Sequence, residues 1–182
     1  MRKTIWMNSG LCAGLLLSGG VSFAQGSAPQ PAEAERAGVS DREFLTRAIS
    51  NNQLELRLGR MAAERASAPE IRAMGETMVQ KHSELGRQLS DLARQSGVTG
   101  AAELSPEQQA TIARLGALSG PDFDRSFKQT LDAIHVRELA MYQDEVTRAT
   151  DPQLRAVAQK RVATLQKTAN QTSQPKERKR EW

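Results

Sequence analysis

The chain is poor in cysteine, and its single cysteine falls in a segment that we expect to be removed. Cys12 lies within residues 1–24, where a basic start and a mostly apolar stretch precede Ser22-Phe23-Ala24. This pattern predicts a secretory signal peptide cleaved after Ala24, and hence a periplasmic or secreted protein. The exported chain would then have no thiol, which excludes disulfide bonds, a cysteine nucleophile and cysteine metal ligands.

The exported chain is also short of aromatic residues and of any excess charge. Aromatic residues make up 4% of the chain, and residues 25–175 contain 19 basic and 19 acidic residues. A nucleic-acid-binding domain needs a concentrated basic surface with aromatic side chains that stack on bases. We therefore expect no nucleic-acid partner. Residues 173–182 are polar and basic, which predicts a disordered tail that supports only weak contact with an anionic surface.

Histidine is scarce as well, with two residues in the chain. No G-x-S-x-G turn is present, so a hydrolase built on a Ser–His–acid arrangement is not indicated. Long apolar runs are missing after the signal peptide, so we expect no transmembrane helix once it is removed. The sequence thus does not indicate an enzyme.

The chain does contain apolar residues at regular intervals of three and four, which predict an all-α protein. Four long helices are expected over about 41–67, 69–95, 121–149 and 152–172, with a short helix that begins at Ser105-Pro106. Proline near the first position of several of these segments is typical of a helix start. Residues 25–39 are rich in proline, alanine and glycine, which predicts a flexible leader before a domain over 40–172.

One histidine interrupts the apolar stripe of the second long helix. The stripe comprises Ile71, Met74, Met78, Leu85, Leu89 and Leu92. His82 occupies the step at which the next apolar residue is expected, so its ring should face the core. Glycines at 59, 75 and 86 have no phosphate-loop context, and we expect them to let helices approach closely.

The first long helix has a second apolar line, roughly opposite its main apolar face. This line comprises Leu54, Leu58 and Met61. Because an exposed apolar line is unfavourable, another element must cover it. We predict that the short helix does so through Ile112, Leu115 and Leu118. The line would also permit a dimer.

The chain repeats itself at an offset of 83 residues. Positions 41–79 and 124–162 align without a gap and share eleven identities, among them Glu55 with Glu138. Such self-similarity predicts the duplication of one helical hairpin. Two hairpins that each expose an apolar face bury it best against each other, which gives a four-helix bundle with 98–120 as the long crossover.

Two segments of the chain resemble an exported bacterial family called domain of unknown function 4142. They are FLTRAISNNQLELRLGRMAAERASAPEIRAMGETMVQKHSEL and FDRSFKQTLDAIHVRELAMYQDEVTRATDPQLRAVAQ. The order of motifs carries the resemblance: an early glutamate, a proline helix start, a mid-helix histidine, the FDR helix start and a second histidine. The resemblance implies a ferritin-like four-helix bundle in an exported protein, and no particular activity.

This chain departs from the usual pattern of that family near both histidines. Lys81 and Ile134 stand where members usually have an acidic residue just before each histidine. Residues 164–168 lack the histidine that many members have in the last helix. Both differences weaken the transfer of metal binding to this chain.

Four inward-facing polar residues form the candidate site. At 100° per residue, Glu138 lies near the centre of the apolar arc of its helix, with His135 toward one edge. Glu55 lies in the corresponding arc of the first helix, and His82 faces the same interior. Ferritin-like metal proteins use a Glu from each of two helices and Glu-x-x-His from each of the other two. The two glutamates fit the first half of this pattern, and the second half is missing.

Two interpretations of Glu55, His82, His135 and Glu138 stay open. The four side chains pair with one another and complete their hydrogen bonds in the core, or some of them hold a single divalent metal ion. A two-iron site is disfavoured because it needs more carboxylates. The first interpretation predicts no cofactor and a non-enzymatic binding or envelope stress-related protein with an unidentified envelope partner. The second predicts a metal-binding, redox-active ferritin-like protein.

Overall fold

A computed structural model describes residues 31–99 and 102–173 of the chain, with side chains from 40–99 and 102–170. The described residues form five helices: α1 Pro31–Arg65, α2 Pro69–Gln95, α3 Pro106–Gly116, α4 Gly120–Arg148 and α5 Pro152–Ser173. The predicted signal peptide and its cleavage site, the first part of the leader and residues 174–182 of the tail lie outside the described residues. In the described part, no helix is long and apolar enough to cross a membrane.

The first helix begins ten residues earlier than predicted. Residues 31–39, expected to belong to a flexible leader, are helical backbone at the start of α1. The prediction was wrong here because it relied on apolar periodicity, which this segment lacks. Its sequence PAEAERAGV places a proline first and then alanine, glutamate and arginine, which have high helix propensity without needing a buried face.

The long helices form two antiparallel hairpins, α1 with α2 and α4 with α5, which pack against each other mainly through α1 and α4. The chain between the hairpins contains α3, which packs against α1 and α4. A capping box at Ser105 and Gln108 begins α3, so this helix has a defined start despite its 11 residues. No strand occurs in 31–99 or 102–173, and the all-α fold predicted from the sequence is confirmed.

The buried apolar side chains fall into two clusters along the bundle. The first cluster contains Leu54, Leu58, Ala62, Ala66, Ile71, Met78, Leu104, Leu115, Phe123, Phe127, Leu131 and Ile134. The second contains Phe44, Leu45, Ala48, Leu89, Leu92, Tyr142, Ala149, Leu154, Ala158 and Leu165. Leu115 of α3 joins Leu54 and Leu58 in the first cluster, so the prediction that the short helix covers the second apolar line of α1 is confirmed.

Glycines bring α1 and α2 into close contact. A Cβ atom at Gly75 would lie 2.5 Å from the carbonyl oxygen of Gly59 and 2.5 Å from the backbone nitrogen of Ala63. The predicted role of the glycines in close helix approach is confirmed here. Met74, expected in the buried stripe, is 39% exposed instead. Because Gly75 makes the close contact with α1, the side chain of Met74 lies at the edge of the interface between the two helices.

Each hairpin turn is fixed by an aspartate from the other hairpin. Oδ2 of Asp124 on α4 accepts hydrogen bonds from the hydroxyl of Ser67 at 2.5 Å and the amide of Ala68 at 2.8 Å. Oδ2 of Asp41 on α1 accepts from the hydroxyl of Thr150 at 2.6 Å and the amide of Asp151 at 3.1 Å. Asp41 and Asp124 are 83 positions apart, and they make the same kind of contact in opposite directions.

Candidate functional site

The four polar residues selected from the sequence meet inside the bundle, together with a fifth. Glu55 comes from α1, His82 from α2, His135 and Glu138 from α4, and Arg161 from α5. We call these five residues the central cluster. On α2 and on α4, the residues of the central cluster lie between the residues of the first apolar cluster and those of the second. Their burial means that each charge must be compensated by a neighbour.

Glu55 is fully buried, and three side chains share its two carboxylate oxygens. Oε2 lies 3.0 Å from Nε2 of His82 and 3.3 Å from Nε2 of His135. Oε1 accepts a hydrogen bond of 2.7 Å from Nη2 of Arg161. Each oxygen of this carboxylate therefore has at least one nitrogen donor within hydrogen-bonding distance.

Arg161 links the two repeated glutamates. Its Nη2 atom lies 2.5 Å from Oε2 of Glu138, and its Nε atom lies 3.2 Å from the same oxygen. The side chains of Arg161 and Glu138 are 10% and 3% exposed. A guanidinium group suits this position because its rigid fork of donors can bind two carboxylates at once.

His82 is held on both sides of its ring by acceptor atoms. Nε2 faces Glu55, and Nδ1 lies 3.0 Å from Oδ1 of Asn52. The amide of Asn52 is oriented by its second hydrogen bond, in which Nδ2 donates to the backbone carbonyl of His82 at 3.0 Å. Because a carboxylate and an amide oxygen only accept, both ring nitrogens must donate. The arrangement therefore fits a doubly protonated imidazolium.

The pKa values of the two glutamates move in opposite directions. Burial alone would raise the pKa of Glu55, but hydrogen bonds from His135 and His82, with the charges of His82 and Arg161, lower it well below its usual value. Burial, followed by the negative charge of Glu55, raises the pKa of Glu138 to about 8 despite the opposing charge of Arg161. The cluster therefore holds one firmly ionised carboxylate and one that titrates near neutral pH.

The ionised carboxylates of the central cluster are compensated by its cations. Burial opposes the charge of Arg161, but Glu55 and Glu138 together raise the pKa of this side chain above its usual value. With His82 and Arg161 as cations and Glu55 as an anion, the net charge is zero when Glu138 is ionised and +1 when it is protonated. Neither state offers the negative charge that a buried divalent cation requires.

Among the side chains that the structure describes, two buried polar atoms of α4 have no hydrogen-bond partner. They are the hydroxyl of Tyr142 and Oε1 of Glu145. The Tyr142 ring packs edge-on against Phe44, with 5.2 Å between centroids. Burial, followed by the charge of Asp41, raises the pKa of Glu145 to about 7. Neither Tyr142 nor Glu145 was predicted from the sequence as a functional residue, although both lie on the inward face of α4.

The donor atoms of the central cluster point at one another. Both Nε2 atoms approach the same oxygen of Glu55, and Arg161 occupies the space between the carboxylates. Across the part of the chain that the structure describes, no group of three or more His, Cys, Asp and Glu side chains is arranged to hold a metal ion. A cleft of about 270 Å³ between α1, α3 and α4 reaches Glu138 from the surface.

Arg161 is the member of the cluster that the sequence analysis missed. A signal was present, because Leu154, Ala158 and Leu165 are buried at helical spacing and Arg161 falls in the same stripe. It interrupts an apolar seam just as His82 does. Arginine is common on exposed helix faces, so this break was less conspicuous than a histidine.

Comparison with solved structures supports the fold. The chain is similar to a DUF305 protein from Streptomyces coelicolor considered to be secreted, with a TM-score of 0.62 and 14% identity over 72% of this chain and 87% of that one. It is also similar to a DUF305 fragment from Deinococcus radiodurans, with a TM-score of 0.64 and 19% identity over 72% of this chain and 91% of that one. At these identities the likeness concerns the fold alone.

Comparison with family models gives a more direct assignment. No functionally curated protein matches the chain. The model of a domain of unknown function, DUF4142, matches residues 25–174, which include all five helices. The match extends through the residues that carry the resemblance noted in the sequence. The chain therefore belongs to the DUF4142 family.

Proposed function

We propose that the protein is an exported, ferritin-like helical bundle with a non-enzymatic binding or stress-related role in the cell envelope, and that its central cluster is structural. The observation that carries the structural role is the position of His82, whose two ring nitrogens face acceptors on Glu55 and Asn52. A ring that donates from both nitrogens has no lone pair for a metal ion. It serves instead to balance charge and to fix the register of α2 against α1.

The proposed location rests on the amino-terminal sequence and on a structural relative. Residues 1–24 have the pattern of a secretory signal peptide. A protein of the same fold, though only 14% identical, is considered to be secreted. Export would place the binding surfaces of the bundle among envelope components, so the partner is expected there.

Metal analysis of protein purified from the periplasm without chelator tests the structural role. We expect iron, manganese and zinc well below one equivalent in the wild type, with no change in His82→Ala. One equivalent of any of these metals that is lost in His82→Ala would overturn the proposal. Export is tested separately by sequencing the amino terminus of the purified chain, which should begin at Gln25.

A second candidate function is binding of a single divalent metal ion, and one distance pattern favours it. Oε2 of Glu55 lies 3.0 Å from Nε2 of His82 and 3.3 Å from Nε2 of His135. Ligands about 2 Å from one tetrahedral ion are separated by roughly 3.3 Å. Metal binding would require both imidazoles to lose protons and a dication to lie near Arg161, which makes this candidate the weaker one.

A further inference from the structure

The cleft between α1, α3 and α4 has the size and the chemistry of a small ligand site. Its volume is about 270 Å³, and its walls are one face of α1 and one face of α4, each with lining residues at helical spacing. The start of α3 forms the third side. Small-molecule sites usually have volumes of about 300–1,000 Å³. A ligand of this cleft must therefore be small.

Uncharged polar side chains of the cleft already hydrogen-bond to one another. The hydroxyl of Ser50 donates to Oε1 of Gln108 at 2.8 Å, and Nε2 of Gln108 donates to Oδ1 of Asn51 at 2.8 Å. Nδ2 of Asn51 in turn lies 3.9 Å from the sulfur of Met141. These contacts connect the three helices, so the walls of the cleft are tied together. They also leave the recognition of a ligand to the charged side chains.

Two exposed arginines make the mouth of the cleft positive. Arg47 has no hydrogen bond or ion pair among the described residues, and its charge acts on Glu145 without direct contact. Arg137 pairs with Glu107 over 3.8 Å, between side chains that are 66% and 80% exposed. Such a surface pair contributes little. Both guanidinium groups are therefore available to an anion that enters the cleft.

The deeper part of the cleft is apolar except for Glu138. Leu54 and Ile134, each 4% exposed, line it together with the partly buried Met141. The carboxyl of Glu138 is bound by Arg161, so its charge is compensated within the central cluster. Because burial raises the pKa of Glu138 to about 8, this carboxyl is mostly neutral at neutral pH. An apolar interior below a positive mouth fits an anion that carries a hydrocarbon chain.

We propose that this cleft binds a small organic carboxylate with a short hydrocarbon chain. The carboxylate is held by Arg47 and Arg137, and the chain lies against Leu54, Ile134 and Met141. Arginine suits the first task because its fork of donors matches the two oxygens of a carboxylate. The proposal rests on the binding role proposed above and names its ligand class. It does not depend on the metal content of the central cluster, so a failure here leaves the metal analysis unaffected.

Titration of the full chain with sodium hexanoate, followed by backbone amide NMR shifts, tests the proposal. We expect saturable shifts at the amides of residues 47–54, 105–108 and 134–141. Acetate lacks the hydrocarbon chain, and hexylammonium has the opposite charge. Each should bind at least about tenfold more weakly than hexanoate, because it loses either apolar burial or the attraction of the arginines.

Arginine variants test whether the binding is located in the cleft. Arg47→Gln and Arg137→Gln should each weaken hexanoate binding about tenfold, because each removes a charged hydrogen-bond donor to the ligand. Arg125→Gln is the matched control, since Arg125 is an exposed arginine of α4 that pairs with Asp122 and does not line the cleft. It should bind hexanoate as the wild type does.

Four outcomes would overturn the proposal. They are the absence of saturable shifts at the cleft, equal affinity for hexanoate and hexylammonium, equal affinity for acetate, and an equal loss of binding in Arg125→Gln. Equal affinity for acetate would indicate a plain anion site. Equal affinity for hexylammonium would indicate apolar adsorption without recognition of charge.

Discussion

Arg161 carries the charge that allows two glutamates to be buried together. It binds Glu55 through Oε1 and Glu138 through Oε2. Removing one partner of a buried ion pair typically costs about 3–5 kcal/mol, because the remaining charge is left uncompensated. We therefore expect Arg161→Met to lower the free energy of unfolding by an amount in this range, as measured by urea denaturation at neutral pH.

The double variant Arg161→Met/Glu138→Gln distinguishes lost charge compensation from lost packing. Measured at pH 9, above the pKa of about 8 of Glu138, it should recover part of what Arg161→Met loses at the same pH, because one ionised carboxylate no longer needs a cation. Arg148→Met is the exposed control, since its ion pair with Asp144 lies at the surface and such pairs contribute little. If the double variant is as unstable as the sum of its single variants, Arg161 does not act through Glu138.

Glu145 should give the protein a measurable pH dependence. Its pKa in the folded state, about 7, lies above its usual value because of burial and then the charge of Asp41. The folded protein holds a proton here that the unfolded chain releases, so this contribution to stability falls as pH rises through 7. We expect Glu145→Gln to gain stability relative to the wild type between pH 5.5 and 8, as measured by denaturation at each pH. Parallel profiles for the two proteins would contradict this expectation.

At the scale of elements, the contact between α1 and α2 depends on Gly75. Alanine there would gain about 1 kcal/mol of helix propensity. Its Cβ would lie 2.5 Å from backbone atoms of Gly59 and Ala63, and overpacking of this kind typically costs 1–3 kcal/mol or more. The backbone cannot yield as a flexible side chain can, so we expect Gly75→Ala to lower the thermal midpoint.

Gly116→Ala provides the comparison for that measurement. A Cβ atom at Gly116 would meet its nearest neighbours at 3.8 Å, which is ordinary contact. This variant should be neutral or slightly more stable than the wild type. An equally neutral Gly75→Ala would mean that α1 and α2 are not held as closely as described.

The elements could be predicted largely from local patterns. Intervals of three and four, with proline at helix starts, located α2 and α5 within a residue or two of their observed bounds. The start of α1 could not be located in this way, because residues 31–39 have helix propensity without an apolar face. Met74 was misplaced because spacing alone does not reveal that the line of closest approach runs through Gly75.

The candidate site was predictable in its members and not in its chemistry. Glu55, His82 and Glu138 stood out because they interrupt apolar stripes. The protonation of His82 depends on how the amide of Asn52 is oriented, and that orientation is set by a contact between α1 and α2. A periodicity in one helix carries no information about such a contact.

For the molecule as a whole, the polar centre joins four helices. Both hairpins contribute to it, since α1 and α2 supply Glu55 and His82 while α4 and α5 supply Glu138 and Arg161. The crosswise bonds of Asp41 and Asp124 to the opposite turns add a second connection between the hairpins. Unfolding is therefore expected to be a single cooperative transition.

The central claim is that the buried carboxylates of the central cluster are compensated by its own cationic side chains and not by a metal ion. The most direct test of this claim is unfolding in the presence of metal ions. A site that binds only the folded state adds about 2.7 kcal/mol to stability at 100 times its dissociation constant. We predict that the denaturation midpoint of the wild type stays unchanged when Zn²⁺, Mn²⁺ or Fe²⁺ is added, and when a chelator is added. A rise in the midpoint with one of these ions that is absent in His82→Leu would contradict the account.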